Sequence, residues 1–223
     1  MTSGSTALAQ TSHPGARKHK LTGLLIMVVL ALPFVGVLCP GETFTAQIGR
    51  EAIYWLCALA LAGFVLIIER RPPESIGWRR PTWKTAGFGL VGAVAMVAGM
   101  AGIYMVIFPA LGLSANESMT ASIQSMPLWF RIFLILRAAV FEELFYRGFM
   151  IERLTELTRL RWLAALVSLG AFTLAHVNGW GWAHLMIAGF GGIVLTTLYL
   201  VRRDLACNML AHFLTDAVAF LVG

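Results

Sequence analysis

Phe141-Glu142-Glu143-Leu144-Phe145-Tyr146-Arg147-Gly148 sits inside an apolar run, roughly residues 128–150, that is long enough to cross a lipid bilayer. A charge at the centre of a membrane helix costs about 2.5–3.5 kcal/mol even on lenient insertion scales. Three ionisable groups within two helical turns are therefore a sign of use. Residues four apart on a helix face one another, so Glu143 can pair with Arg147 in the favourable acid-first order. Glu142 is rotated about 100° from Glu143 and cannot share that partner equally. The stretch thus predicts one carboxylate held by an arginine and a second free to exchange a proton, as a general base requires.

The rest of the chain has the composition of a membrane protein. Its 223 residues are 58% hydrophobic and 13% charged, with mean hydropathy +0.77, whereas a soluble domain is nearer half apolar and a quarter charged. Seven apolar segments follow one another, roughly 21–39, 52–68, 86–110, 128–150, 162–178, 183–200 and 205–222. They predict an all-α polytopic bundle of about seven transmembrane helices. The segment from Leu21 to about Cys39 follows Arg17, Lys18 and Lys20, yet exceeds a signal-peptide core and lacks a small-x-small cleavage site, so it reads as a retained helix. Residues 1–20 read as a disordered basic tail, 21–84 as two helices with a Pro/Trp-rich loop, and 85–223 as the functional core.

The net charge of +6 does not indicate a nucleic-acid partner, because the basic residues are scattered through short connections without a continuous face. Instead they alternate. The tail, the 70–84 connection (Arg70, Arg71, Arg79, Arg80, Lys84), the 153–161 connection (Arg153, Arg159, Arg161) and Arg202-Arg203 are basic, while the alternate connections hold only Arg50 and Arg131. The positive-inside rule then places the N-terminus in the cytoplasm and the C-terminus outside an inner or plasma membrane. Trp55, Trp129, Trp162, Trp180 and Trp182 fall near predicted helix ends, as an aromatic belt would, and Trp78 and Trp83 near the cytoplasmic surface. Gly87, Gly89 and Gly92, with Gly189, Gly191 and Gly192, read as sites of close helix packing. Cys39, Cys57 and Cys207 share no metal-like spacing and form no disulfide framework.

Two later segments carry further polar groups. The fifth holds Phe172-Thr173-Leu174-Ala175-His176, and the seventh aligns Asn208, His212 and Asp216 at four-residue intervals on one face. Counted inward from the basic loops at about 1.5 Å per residue, Glu142, His176 and Asp216 reach mid-bilayer, with His212 shallower on the cytoplasmic side. Polar groups at that depth are tolerated around a water-filled cavity. The site is accordingly expected to open toward the cytoplasmic half. Arg137 has no acid three or four residues away and reads as an outward-reaching side chain ahead of the alternatives, a group that tunes a glutamate or one that binds a lipid head group. His184, at the outer end of its segment, reads as interfacial.

These three groupings resemble the motifs of the CAAX protease and bacteriocin-processing (CPBP, or Abi) family of intramembrane glutamic endopeptidases. Its EExxxR, FxxxH and HxxxN/D motifs correspond to Glu142-Glu143 with Arg147, Phe172 with His176, and His212 with Asp216. The resemblance covers roughly 85–222 and implies hydrolysis of a peptide bond, in a membrane-associated peptide or protein, by an activated water without a metal or other cofactor. It implies that Glu142 and His176 activate or position the water and that His212 and Asp216 stabilise the oxyanion. Glu143 and Arg147 would orient these groups, with Phe172 and Asn208 in support. On chemistry alone either glutamate can be the base. The prenyl-protein endopeptidases of the family carry Asn where Asp216 stands, so Asp216 is expected to be protonated, or else to orient His212 while His212 or Asn208 donates. Three other functions compete. A zinc protease lacks its HExxH signature here, an immunity or scaffold protein would use the same residues structurally, and a proton-coupled transporter would be expected to show repeat symmetry.

Overall fold

A computed structural model describes residues 43–222 together with 22, 23 and 26. The basic tail, Cys39 and almost all of the first apolar segment lie outside the described residues. Helix α1 (Phe44–Ile68) starts at Thr43, whose hydroxyl accepts from the Ala46 amide at 3.2 Å. Helix α2 (Trp83–Leu111) begins with a reciprocal cap, in which Thr82 and Thr85 each receive the other's backbone N–H. A short helix, α3 (Glu117–Gln124), follows and is capped by Asn116. Helix α4 runs over 128–158, and α5 (Arg161–Ala175), α6 (Leu185–Arg202) and α7 (Leu205–Val222) complete the bundle. Helices thus occupy six of the seven expected segments, and almost all of the first lies outside the described residues. The chain is an all-α multi-pass membrane protein.

Five of these helices are long and apolar enough to cross a membrane by composition: α1, α2, α5 extended to Trp180, α6 with its lead-in from Trp182, and α7. Helix α4 is not among them, because Arg131, Arg137, Glu142, Glu143 and Arg147 interrupt its apolar run. It is nevertheless the axis of the bundle: every residue from Glu143 to Ile151 is buried. Leu59, Ile67, Val91, Met105 and Val201 on the surrounding helices are exposed, as lipid-facing side chains would be.

Close packing depends on four of the six glycines singled out above. A Cβ on Gly89 would lie 2.9 Å from Leu210, one on Gly92 3.1 Å from Leu198, one on Gly191 2.7 Å from Met100, and one on Gly192 2.7 Å from Leu169. Gly87 and Gly189 meet nothing so close.

The basic connections gather at one end and are tied together there. Arg153 is buried and binds Glu69 through Nε at 2.9 and 3.0 Å. Arg71 pairs with Glu156, and Arg203 with Glu152. Thr85 donates to Asp204 at 2.7 Å, and Thr22 donates to Glu69 at 3.3 Å. Removing one partner of a buried pair leaves an uncompensated charge, so Arg153→Met should destabilise the protein by about 3–5 kcal/mol. Thermal unfolding in detergent checks this, and adding Glu69→Gln should recover part of the loss.

Candidate active site

At Glu143 helix α4 widens from α-helix into a π-helical stretch, Glu143–Ile151. Such insertions recur at functional sites. Glu142 and Glu143 flank the junction and serve different partners.

Glu143 has both carboxylate oxygens engaged. Its Oε1 receives Arg147 at 2.8 Å and His212 Nδ1 at 3.0 Å, and its Oε2 receives Asn208 Nδ2 at 3.1 Å. Both members of the Glu143–Arg147 pair are fully buried, which realises the i,i+4 spacing. Arg147 also donates to the Gly192 carbonyl at 3.3 Å and lies 4.1 Å over the Phe172 ring. Asn208 spends its second N–H on the Leu195 carbonyl at 2.7 Å. With both hydrogens committed, Asn208 is not free to donate to an oxyanion, and that option is withdrawn. Its role is to hold Glu143.

Glu142 faces the other way. Its Oε2 is buried, has no hydrogen-bond partner among protein groups, and lies 3.9 Å from His176 Nε2. His176 caps the C-terminus of α5, and its Nδ1 is 2.8 Å from the Phe172 carbonyl. A carbonyl only accepts, so Nδ1 carries the proton and Nε2 of the neutral ring presents a lone pair. A separation of 3.9 Å is too long for a direct hydrogen bond. One water donating to each atom at about 2.8 Å spans it. On α7, His212 Nε2 stands 3.6 Å from Asp216 Oδ2, while its Nδ1 is pinned by Glu143. The acidic and imidazole groups of α4, α5 and α7 therefore meet, as the three motifs predict.

One reading of the sequence needs correction and one needs extending. Arg137 does not reach outward: it donates to Glu51 of α1 at 2.8 and 2.9 Å, approaches Glu142 Oε1 at 3.6 Å and covers the Tyr54 ring at 4.5 Å. It lies nearest Glu142 Oε1, whereas His176 lies nearest Oε2. Glu51 was missed because its partner is on a different span, though an acid and an arginine that both lack a partner on their own helix are a usable signal. His184 stands at the start of α6, where the sequence put it, and it has a further place. It stacks on Trp180 at 4.7 Å, lies 5.9 Å from the His176 ring and lines the same cavity. Trp180 goes with it.

That cavity, about 1180 Å³, has Glu142, His176, His212 and Asp216 among its walls. It does not extend toward the basic loops. Its further lining comes from Gln47 and Arg50, from Tyr104, from α3, and from Phe220, and none of the described residues 69–84, 152–161 or 202–205 contributes. The expected opening toward the arginine-rich end is therefore overturned. Among the described residues no group of three or more His, Cys, Asp or Glu side chains is disposed to hold a metal ion.

Residues 124–218 match the family model described as Type II CAAX prenyl endopeptidase Rce1-like. The match runs from the end of α3 into α7 and contains all three motifs, while Glu51 lies outside it. No curated protein and no solved structure matches the chain.

Proposed function

We propose, from the match of residues 124–218 to the Rce1-like CAAX endopeptidase model, that the chain hydrolyses a peptide bond in a membrane-associated substrate with a water held between Glu142 and His176. The observation that carries this reading is the buried, unpartnered Glu142 Oε2, 3.9 Å from His176 Nε2. Glu142 is the base, because Glu143 has no oxygen to spare. The water adds to the carbonyl carbon as its proton passes to Glu142. The carbonyl oxygen becomes an oxyanion facing His212 and Asp216. Glu142 then returns the proton to the departing amine as the C–N bond breaks, and no cofactor enters these steps. Glu143, Arg147 and Asn208 position His212, and Phe172 positions His176 through its carbonyl and the Arg147 guanidinium through its ring. His212 Nε2 can donate to the oxyanion only as imidazolium, since Nδ1 already serves Glu143. A protonated Asp216 supplies a second donor.

Comparative peptidomics of membranes from cells carrying the wild-type protein or Glu142→Ala tests the reading. Products should vanish in the variant at unchanged protein level, and identical peptide profiles would refute it. Asp216→Asn should keep cleavage of such a product within an order of magnitude, because an amide donates as a protonated acid does. A loss as complete as that of Glu142→Ala would instead make Asp216 an ionised orienter of His212. The protein is assigned to the cell membrane with its N-terminus cytoplasmic, and the catalytic core of residues 85–223 is completed by Glu51 from α1.

A further inference from the structure

Helix α1 meets α4 along one face of each. On α4 that face carries Phe133, Arg137 and Phe141 at four-residue intervals, and on α1 it carries Glu51 with Tyr54 and Trp55 one turn on. Trp55 packs on Phe133 and Tyr54 on Phe141, each with ring centroids 5.6 Å apart. The ion pair of Glu51 with Arg137 belongs to the same face. Aromatic contacts already join the two helices, and a buried ion pair is weak evidence for stability, since well-packed apolar groups serve as well. Its place beside the base is what gives this pair a use.

The Arg137 guanidinium is fixed on two sides. Nε and Nη2 donate to the two oxygens of Glu51 at 2.8 and 2.9 Å, a bidentate arrangement that sets the plane of the group. The Tyr54 ring covers it at 4.5 Å. The remaining nitrogen, Nη1, stands 3.6 Å from Glu142 Oε1, too far for a hydrogen bond but close enough for ionic attraction. The last torsion of a glutamate is broad and roughly two-fold, so the plane of the Glu142 carboxyl group needs an outside reference. A fixed cation near Oε1 supplies one and leaves Oε2 beside His176. Glu51 also restrains the arginine. Without it, Glu142 is the next carboxylate in reach of Arg137, and a direct bidentate pair there would occupy the oxygen that the water needs.

We infer that Glu51 and Arg137 are positioning residues for the base. Glu51 holds Arg137, and Arg137 sets the plane of the Glu142 carboxyl group from a distance that leaves its second oxygen open. Helix α1, outside the matched residues 124–218, thereby shapes the reacting group. The inference rests on the peptidase reading above, in which Glu142 is the base.

Cleavage kinetics on a product identified by peptidomics test it, with full-chain variants assayed well below their melting transitions in detergent. Glu51→Gln should lower kcat by about 10²-fold, the cost of a misplacement of about 1 Å, with KM little changed. Adding Arg137→Gln should raise kcat above that of Glu51→Gln, because the loose arginine is gone, without restoring the wild-type rate. Arg137→Lys keeps a cation for Glu51 but loses the fork, so the melting temperature should hold while kcat drops severalfold. A purely structural pair gives the opposite split: Glu51→Gln melts lower, and kcat of the folded enzyme is that of wild type in both single variants. That result overturns the inference, as does a double variant no faster than Glu51→Gln. Should Glu51→Gln not fold, Arg137→Lys decides alone, and a wild-type kcat there refutes the positioning role. Peptide profiles unchanged by Glu142→Ala refute the peptidase reading itself. Products lost in Glu142→Ala, with kcat intact in Glu51→Gln and Arg137→Lys, refute the positioning role only.

Discussion

Glu142→Gln should lower the rate of peptide cleavage by roughly 10²–10⁴-fold, the range that a positioned general base contributes, with little change in thermal stability. The amide has nearly the shape of the carboxylate, and the oxygen that matters has no protein partner to lose. The remaining contact of Glu142, Arg137 at 3.6 Å, is secondary for that arginine, which keeps its two shorter bonds to Glu51. A rate measured on any product identified by peptidomics, paired with a melting curve in detergent, checks both halves. Retained cleavage in a stable Gln variant would show that Glu142 is not the base. Loss of stability together with cleavage would show that the glutamate serves the fold.

The prediction depends on residues whose readability in the sequence differs. The Glu143–Arg147 pair and the stripe of Asn208, His212 and Asp216 are contacts within one helix or along one helix face, and four-residue spacing encodes them directly. That His176 and His212 approach different glutamates is a matter of how three helices are rotated about their axes, which periodicity constrains only to a face. The Glu51–Arg137 contact joins positions 86 residues apart, and Asn208's second bond ends on a backbone carbonyl of α6, which no side-chain pattern marks. Helix α4 was legible only because its charges were treated as functional, since by apolar composition it is the least membrane-like of the long helices. The direction of the opening failed for a related reason. Depth along each helix placed the polar groups near the middle, but the path out depends on α3, an eight-residue helix of ordinary polarity within a connection.

Glu143→Gln and Arg147→Met should each destabilise the protein by about 3–5 kcal/mol, because each leaves a buried polar partner without its counterpart. The two side chains are 0% and 1% exposed, so water cannot replace the lost partner. The informative variant is the double substitution, Glu143→Gln with Arg147→Met. With both charges removed no uncompensated ion remains, and a well-packed neutral replacement of a buried pair is often close to neutral in stability. A large share of the lost stability should therefore return. Activity should not return with it. The Glu143 carboxylate accepts from His212 and Asn208 as well as from Arg147, and a glutamine offers one carbonyl oxygen where a carboxylate offered two. His212 would lose the charged anchor at Nδ1 that fixes which of its nitrogens faces Asp216 and the oxyanion. Melting temperature and cleavage rate measured on the same three variants separate the roles. If the double variant recovered stability and cleavage together, the pair would be a structural ion pair with no hold on the chemistry. If it recovered neither, the remaining donors of Arg147, to Gly192 and over Phe172, would be holding α4 against its neighbours independently of the charge.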